Sequence, residues 1–324
     1  MTRQLRIGVV GLGAVARFYL AALADVGSLR LTAVCDVDRA LLSRFGGQLS
    51  PFGGEVTCHT DHRQMLRRSD LDAAVVTTPN DSHFTVCRDA LEAGVAVCVE
   101  KPLSTRLADG EALMEAARAR GVTLFTAFHR RYNAAVVTLA RRLSPQPPVR
   151  RIVVRYFERI EEHVGRDRWY LDPARCGGGC VADNGPNAYD LVRLFLGDLQ
   201  VTDAVVYRDA QEVDRKAVVL LRAASGATAR VELDWSYEGE RKELEVQLVD
   251  GTTYRVDMLS GHVGFKASLW HEYVGVLQDF ARALSPTAQR EDGGLPALAL
   301  VNETYRAERV HNVARSAPPN PSRP

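Results

Sequence analysis

Over residues 5–128 of this 324-residue chain, short apolar runs alternate with amphipathic stretches, and the pattern predicts strand and helix in turn. LRIGVV (5–10), LTAVC (31–35), EVTCH (55–59), AAVVTT (73–78), AVCVE (96–100) and TLFTAF (123–128) read as strands. Between them, stretches such as ARFYLAALADVG and HFTVCRDALEAG carry helical apolar spacing and end in a glycine suited to a left-handed cap. Strand, helix and strand in repeated succession build right-handed crossovers and a doubly wound parallel sheet.

The pattern changes after Phe128. A helix over about 133–144 and a proline-rich break at Ser144-Pro145-Gln146-Pro147-Pro148 lead into longer runs that alternate apolar and polar residues. RRIVVRYFERI, VTDAVVYRDA, AVVLLRAASG, TARVELDWSYEG and KELEVQLVDGTTYRVDM fit a large, mostly antiparallel open sheet. One face of it is buried, and the other is covered by helices or a second subunit. Residues 271–285 and 293–314 read as closing helices, and SAPPNPSRP as a disordered tail. The expected fold is α/β, with a Rossmann-type domain over 1–128 and an α+β substrate-binding and oligomerisation domain over 129–315. The tail takes 316–324.

A hydrophobic content of 46% suits two cored domains, and a net charge of +1 with interspersed signs offers no face to nucleic acid. The expected partner is a small molecule. The N-terminus enters a strand at once, and no stretch approaches the ~20 apolar residues that span a bilayer, so a cytoplasmic protein without membrane contact is expected. Of the six cysteines, Cys35 and Cys98 lie in strand-like runs as small hydrophobes. Cys176 and Cys180 bracket three glycines without two further ligands nearby, and no metal is expected.

The first strand runs into Gly11-Leu12-Gly13-Ala14-Val15-Ala16 and then a helix. Gly11 permits the tight turn, Gly13 admits a pyrophosphate to the backbone, and the small Ala16 allows close helix packing. Asp36 ends the second strand, 23 residues beyond Gly13, where a carboxylate accepts hydrogen bonds from ribose hydroxyls. Asp36 with Asp38 favours NAD over NADP by repelling a 2′-phosphate, although the guanidinium of Arg39 stands close by. Thr77-Thr78-Pro79-Asn80 and His83 follow the fourth strand at the edge where ligands of doubly wound sheets bind; the alternative is a plain turn and helix start. Glu100-Lys101-Pro102 ends the next strand at the same edge. Lysine is scarce here, at 101, 216, 242 and 266 only, against 41 Lys and Arg together. Unlike arginine, a lysine amine can be tuned to exchange a proton.

These motifs, with Arg130-Arg131-Tyr132 and Trp169-Tyr170-Leu171-Asp172-Pro173, resemble the Gfo/Idh/MocA family of nicotinamide-dependent oxidoreductases over nearly the whole chain. The resemblance implies hydride transfer between the nicotinamide and a secondary alcohol or ketone of a sugar, nucleotide sugar or cyclitol. It also implies that Lys101 sits beside the ring and the reacting hydroxyl, and that the second sheet builds the substrate wall and a homodimer or homotetramer interface. The family's second motif is commonly GGGxxxDxGxHxxD; here it runs from Gly177 to Asp190, with Asp183 and Asp190 in place and Asn187 where the histidine stands. An amide can hold a hydroxyl but cannot exchange its proton. Lys101 is therefore expected to carry the proton, its amine lowered towards neutrality by burial and a positive ring, while Asp183 and Asn187 orient the substrate. Asp183 could instead cap the helix expected over 186–196, with Asn187, Asp190 and Leu194 on one stripe. His129 and His163 are reserve proton donors. Tyr132, Tyr156, Trp169 and Tyr170 are expected substrate walls, with Thr77, Thr78, Pro79, Asn80, His83, Glu100 and Lys101 on the cofactor. Two other readings are an enzyme that retains its NAD, like the family's glycosidases and aldose-aldose oxidoreductases, and a non-catalytic NAD sensor.

Overall fold

The structure, a computed structural model, describes residues 3–46, 56–143, 148–164, 168–285, 287–288 and 292–312. Its first sheet holds β1 (Leu5–Val10), β2 (Leu29–Cys35), β3 (Thr57–His59), β4 (Ala73–Val76), β5 (Ala96–Glu100) and β6 (Leu124–Ala127), all parallel, in the order β3-β2-β1-β4-β5-β6. Every residue of β4, β5 and β6 is buried, because helices cover both faces. Those helices are α1 (Ala16–Asp25), α2 (Arg39–Gly46), α3 (His62–Arg68), α4 (Asn80–Glu92) and α5 (Leu107–Arg120). The strand order reverses between β1 and β4, and the chain leaves these two strands in opposite directions, which opens a crevice at their carboxyl ends.

The second sheet is mixed and mostly antiparallel. It contains β7 (Val149–Arg159), β8 (Leu199–Arg208), β9 (Asp214–Ala223), β10 (Thr228–Asp234), β11 (Ser236–Leu248), β12 (Thr253–Asp257) and β13 (Glu308–Asn312), ordered β12-β11-β7-β10-β9-β8-β13. Only the β7–β10 and β8–β13 pairs are parallel. The period-2 pattern is plain in β10, where Ala229, Val231 and Leu233 are buried and their neighbours are partly exposed. Their inner face packs on α9 (Gly185–Leu196), which follows α6 (Ala134–Leu143), α7 (Pro173–Cys176) and α8 (Cys180–Asp183). The opposite face is laced by cross-strand charge pairs, such as Arg155 with Glu232 at 3.2 Å and Glu243 at 3.5 Å.

Two expectations near the C-terminus change. The helix foreseen over 271–285 is α10 (Phe265–Ala283), and its apolar stripe returns to the first sheet, where Leu269, Val276, Leu277 and Phe280 join the core of β1 and α1. The helix foreseen over 293–314 is α11 (Leu295–Ala307), which stops when the chain turns extended at Glu308 and adds β13 to the free edge of β8. The edge's unpaired backbone groups recruit a segment too polar to announce itself as a strand. The expected β-run 55–59 is described only from residue 56, and the break at 144–147 and the tail at 316–324 lie outside the described residues. Among the described residues, no helix is long and apolar enough to cross a membrane.

Candidate active site

At the crevice, Gly11 adopts φ +93°, and a Cβ there would stand 2.9 Å from the backbone of Thr77 and Thr78, so only glycine lets β1 and β4 meet. The Thr77 hydroxyl seals this junction by donating to the Gly11 carbonyl at 2.7 Å. Gly13 faces open space, and no side chain caps the first turn of α1, which leaves its N–H groups for an anion. The Asp36 carboxylate accepts from Leu12 N at 2.7 Å and Asp38 N at 2.8 Å, which holds it at the loop with lone pairs to spare. Thr78 Oγ1 is buried without a hydrogen-bond partner among the described residues. Open space, a bare helix start, a fixed carboxylate and an orphaned hydroxyl fit a dinucleotide.

A cleft of about 270 Å³ extends from Gly13, Ala14 and Val15 past Thr77–Asn80 to the second sheet. Ala16 lies beneath its wall, fully packed. His83 does not reach the cleft, contrary to its expected cofactor contact. It is entirely buried, with ring nitrogens 2.8 Å from the Pro102 carbonyl and 2.9 Å from the Thr78 carbonyl, and so braces the loop after β4 against the loop after β5. Asn80 lines the cleft but commits its amide to the Cys176 carbonyl at 3.0 Å.

Lys101 follows β5 at a cis peptide with Pro102 and reaches across the cleft. Its Nζ donates to Asp183 Oδ1 at 2.6 Å and to the Asp183 carbonyl at 3.1 Å. Asp183 ends α8 and leaves the start of α9 uncapped, so the alternative of a helix cap falls away. The expected lowering of the Lys101 amine is also corrected. Burial, the largest single effect, pushes it down, but the Asp183 carboxylate together with Tyr170 and Glu100 more than offsets burial and holds the ammonium well above its ordinary range. Glu100 turns the other way, and its Oε1 accepts from the Tyr19 and Tyr273 hydroxyls, each at 2.9 Å. Burial raises its carboxyl against the pull of Lys101.

Asn187, on the first turn of α9, is buried and lines the cleft. Its Nδ2 lies 3.1 Å from His129 Nε2, and His129 Nδ1 lies 2.6 Å from Glu272 Oε2 on α10. Arg130 and Asn133 both donate to Glu272 Oε1 at 2.8 Å. Burial lowers His129 to about 4, overriding the attraction of Glu272. The reserve histidine thus stands beside Asn187 as a neutral, oriented ring that also borders the cleft.

Trp169 and Tyr170 stack at 3.7 Å between centroids and form part of the cleft wall with Tyr156, whose hydroxyl accepts from Arg130 Nε at 2.7 Å. Tyr132 is corrected: it packs on Gly275 and hydrogen-bonds Asp279, away from the cleft. His163 borders the far end, 3.2 Å from Glu240 Oε1 but without hydrogen-bond alignment. There Glu158 accepts from Lys242 at 2.6 Å and from Asn184 at 2.7 Å. Against burial, which raises it, Lys242 holds the Glu158 carboxyl at about 2. Sequence reasoning missed Glu272, Glu158 and Lys242, although the scarcity that singled out Lys101 applies equally to Lys242. The glycine run meets protein, not ligand: Cβ atoms on Gly178 and Gly179 would strike Tyr305 and Asp214. Asp190 is buried and held by Arg131, while Leu194 on the expected stripe is exposed.

Residues 5–128 match a sequence profile described as "Oxidoreductase family, NAD-binding Rossmann fold", and residues 148–254 match one described as "GFO/IDH/MocA C-terminal domain". D-apiose dehydrogenase of Paraburkholderia graminis is 27% identical over 252 residues, spanning 76% of this chain and 65% of that protein, just under two thirds of its length. GenD2 from gentamicin A biosynthesis, solved in complex with NAD, superposes with a TM-score of 0.83 at 22% identity, covering 95% of each chain. KijD10, a 3-ketoreductase from Actinomadura kijaniata solved with NADP and TDP-benzene, gives 0.77 at 22% identity, covering 96% of this chain and 100% of its own. The structural likenesses establish the fold, and the two profiles together cover most of the sequence. The chain belongs to the Gfo/Idh/MocA family of oxidoreductases.

Proposed function

We propose that this protein transfers a hydride between NAD and a secondary alcohol or ketone carbon of a sugar, nucleotide sugar or cyclitol. The observation that carries this reading is the Lys101–Asp183 pair, which joins the dinucleotide-binding edge to helix α8 beside the second sheet inside one cleft. Bound along that edge, NAD supplies the carbon that accepts or returns the hydride. Lys101, kept as an ammonium by Asp183, donates a hydrogen bond to the substrate oxygen. In ketone reduction it hands its proton to the oxygen as the hydride reaches the carbon, and alcohol oxidation runs the same step backwards, the amine taking the hydroxyl proton as the hydride leaves. Asp183 orients the ammonium, Asn187 holds the hydroxyl, and Tyr156, Trp169 and Tyr170 exclude water from one side.

Asp36 supports NAD over NADP, since its carboxylate, held at the loop by Leu12 N and Asp38 N, would repel a 2′-phosphate on the ribose it is read to bind. In this reading residues 1–128 serve the cofactor and residues 129–315 the substrate. The charged outer face of the second sheet is the surface for a homodimer or homotetramer, which sedimentation velocity tests directly. Lys101→Met should abolish turnover on a panel of sugars, nucleotide sugars and cyclitols while NADH still binds, as followed by nicotinamide fluorescence. Retained turnover would remove Lys101 from the mechanism.

A further inference from the structure

We propose that Glu272 and His129 are positioning residues that lock the Asn187 amide with Oδ1 towards the cleft, so that the site selects an alcohol over its ketone. The proposal rests on the oxidoreductase reading above and deepens it. Glu272 Oε1 accepts from both Arg130 and Asn133, as an ionised carboxylate does. Arg130 and His129 overcome the burial that would raise its carboxyl. A carboxylate only accepts, so the His129 nitrogen 2.6 Å from Oε2, Nδ1, carries the proton. A neutral imidazole has one N–H, which makes Nε2 an acceptor. The Asn187 atom 3.1 Å from it is therefore the donor Nδ2.

With one Nδ2 hydrogen committed to His129, Oδ1 is left as the amide's open acceptor. It is buried, no group among the described residues donates to it, and Asn187 lines the cleft. An alcohol O–H satisfies this oxygen, whereas a ketone brings no donor and leaves it orphaned. Lys101 does not discriminate, because an ammonium donates to either oxygen. The groups facing His129 keep its ring neutral: Arg130 and Lys101 oppose a positive charge, the Glu272 carboxylate favours it too weakly to offset burial, and Tyr273 stacks on the ring at 5.4 Å. Protonating Nε2 would reverse the amide, point Nδ2 into the cleft and favour the ketone.

The test uses the full chain with bound NADH, labelled with ¹⁵N in histidine and asparagine, and His129→Phe for assignment. The His129 ring should show a protonated Nδ1 and a bare Nε2 from pH 5.5 to 8. 2-Propanol and acetone serve as the alcohol and the hydroxyl-free ketone probes, and the wild type should bind 2-propanol about tenfold more tightly. That preference should vanish in His129→Phe and return in part in His129→Gln, whose amide oxygen can accept from Asn187. An Nε2–H tautomer or imidazolium at pH 7, equal or absent binding of the probes, or a preference that survives His129→Phe each overturns the proposal. Failure of the wild type to bind NADH sinks the oxidoreductase reading instead and leaves the ring tautomer as a standing test of the chain.

Discussion

Burial acts on two groups bordering the cleft and leaves them at opposite extremes. At Lys101 the Asp183 carboxylate, with Tyr170 and Glu100 behind it, offsets desolvation, while His129 has the Glu272 carboxylate set against Arg130 and Lys101 and loses its proton. At Gly11 the constraint is steric. Gly11→Ala places a methyl 2.9 Å from the Thr77 backbone at a positive φ, a conformation costing about 1–2 kcal/mol before any clash. We expect it to weaken NADH binding at least tenfold with the far-ultraviolet circular dichroism unchanged; unchanged affinity would show that β1 and β4 can part at no cost. Gly11 and Lys101 were legible because each belongs to a short contiguous motif, and Asp36 because it ends a strand at a set distance from one. The departure at Asn187 was legible for the same reason, but its remedy was not, since Glu272 lies 143 residues from His129 and no spacing rule links them.

The strands of the first sheet could be read from the chain because burial on both faces leaves compact apolar runs, and the observed bounds differ from those runs by a few residues at most. A helix is harder to place. The stripe of α10 shows that one face is covered, yet nothing in its period says by which sheet, and its return to β1 emerges only in three dimensions. β13 is polar and completes an edge, so it carries no pattern of its own. The docking of α10 gives a prediction at this scale. Phe280 is fully buried against Phe125, with ring centroids 5.6 Å apart, and Phe280→Ala should cost about 3–5 kcal/mol in urea denaturation. Because the same helix carries Glu272 and Tyr273, NADH binding should weaken as well. A loss under 1 kcal/mol would mean that α10 is not fastened there.

For the molecule as a whole, the neutral His129 sets an acid limit. The unfolded chain holds this proton up to about 6.5, whereas the folded chain releases it above about 4, so the unfolded state binds more protons between those values. Stability contributed by the neutral ring is complete above pH 6.5 and falls as pH drops to 4, by up to about 3 kcal/mol. Urea midpoints at pH 7, 5.5 and 4.5 measure it, and His129→Phe should flatten the slope; an identical slope would assign the acid sensitivity elsewhere. The bond from Lys101 to Asp183 has a different consequence at this scale. Its two ends belong to segments that fold around separate cores, so neither core alone owns a charged lysine in a dry cleft. A chain with both cores formed but wrongly docked would keep all its secondary structure, leave this amine free to titrate and, on the role proposed for Lys101, be chemically silent. Reactivity is thus itself a report on correct assembly.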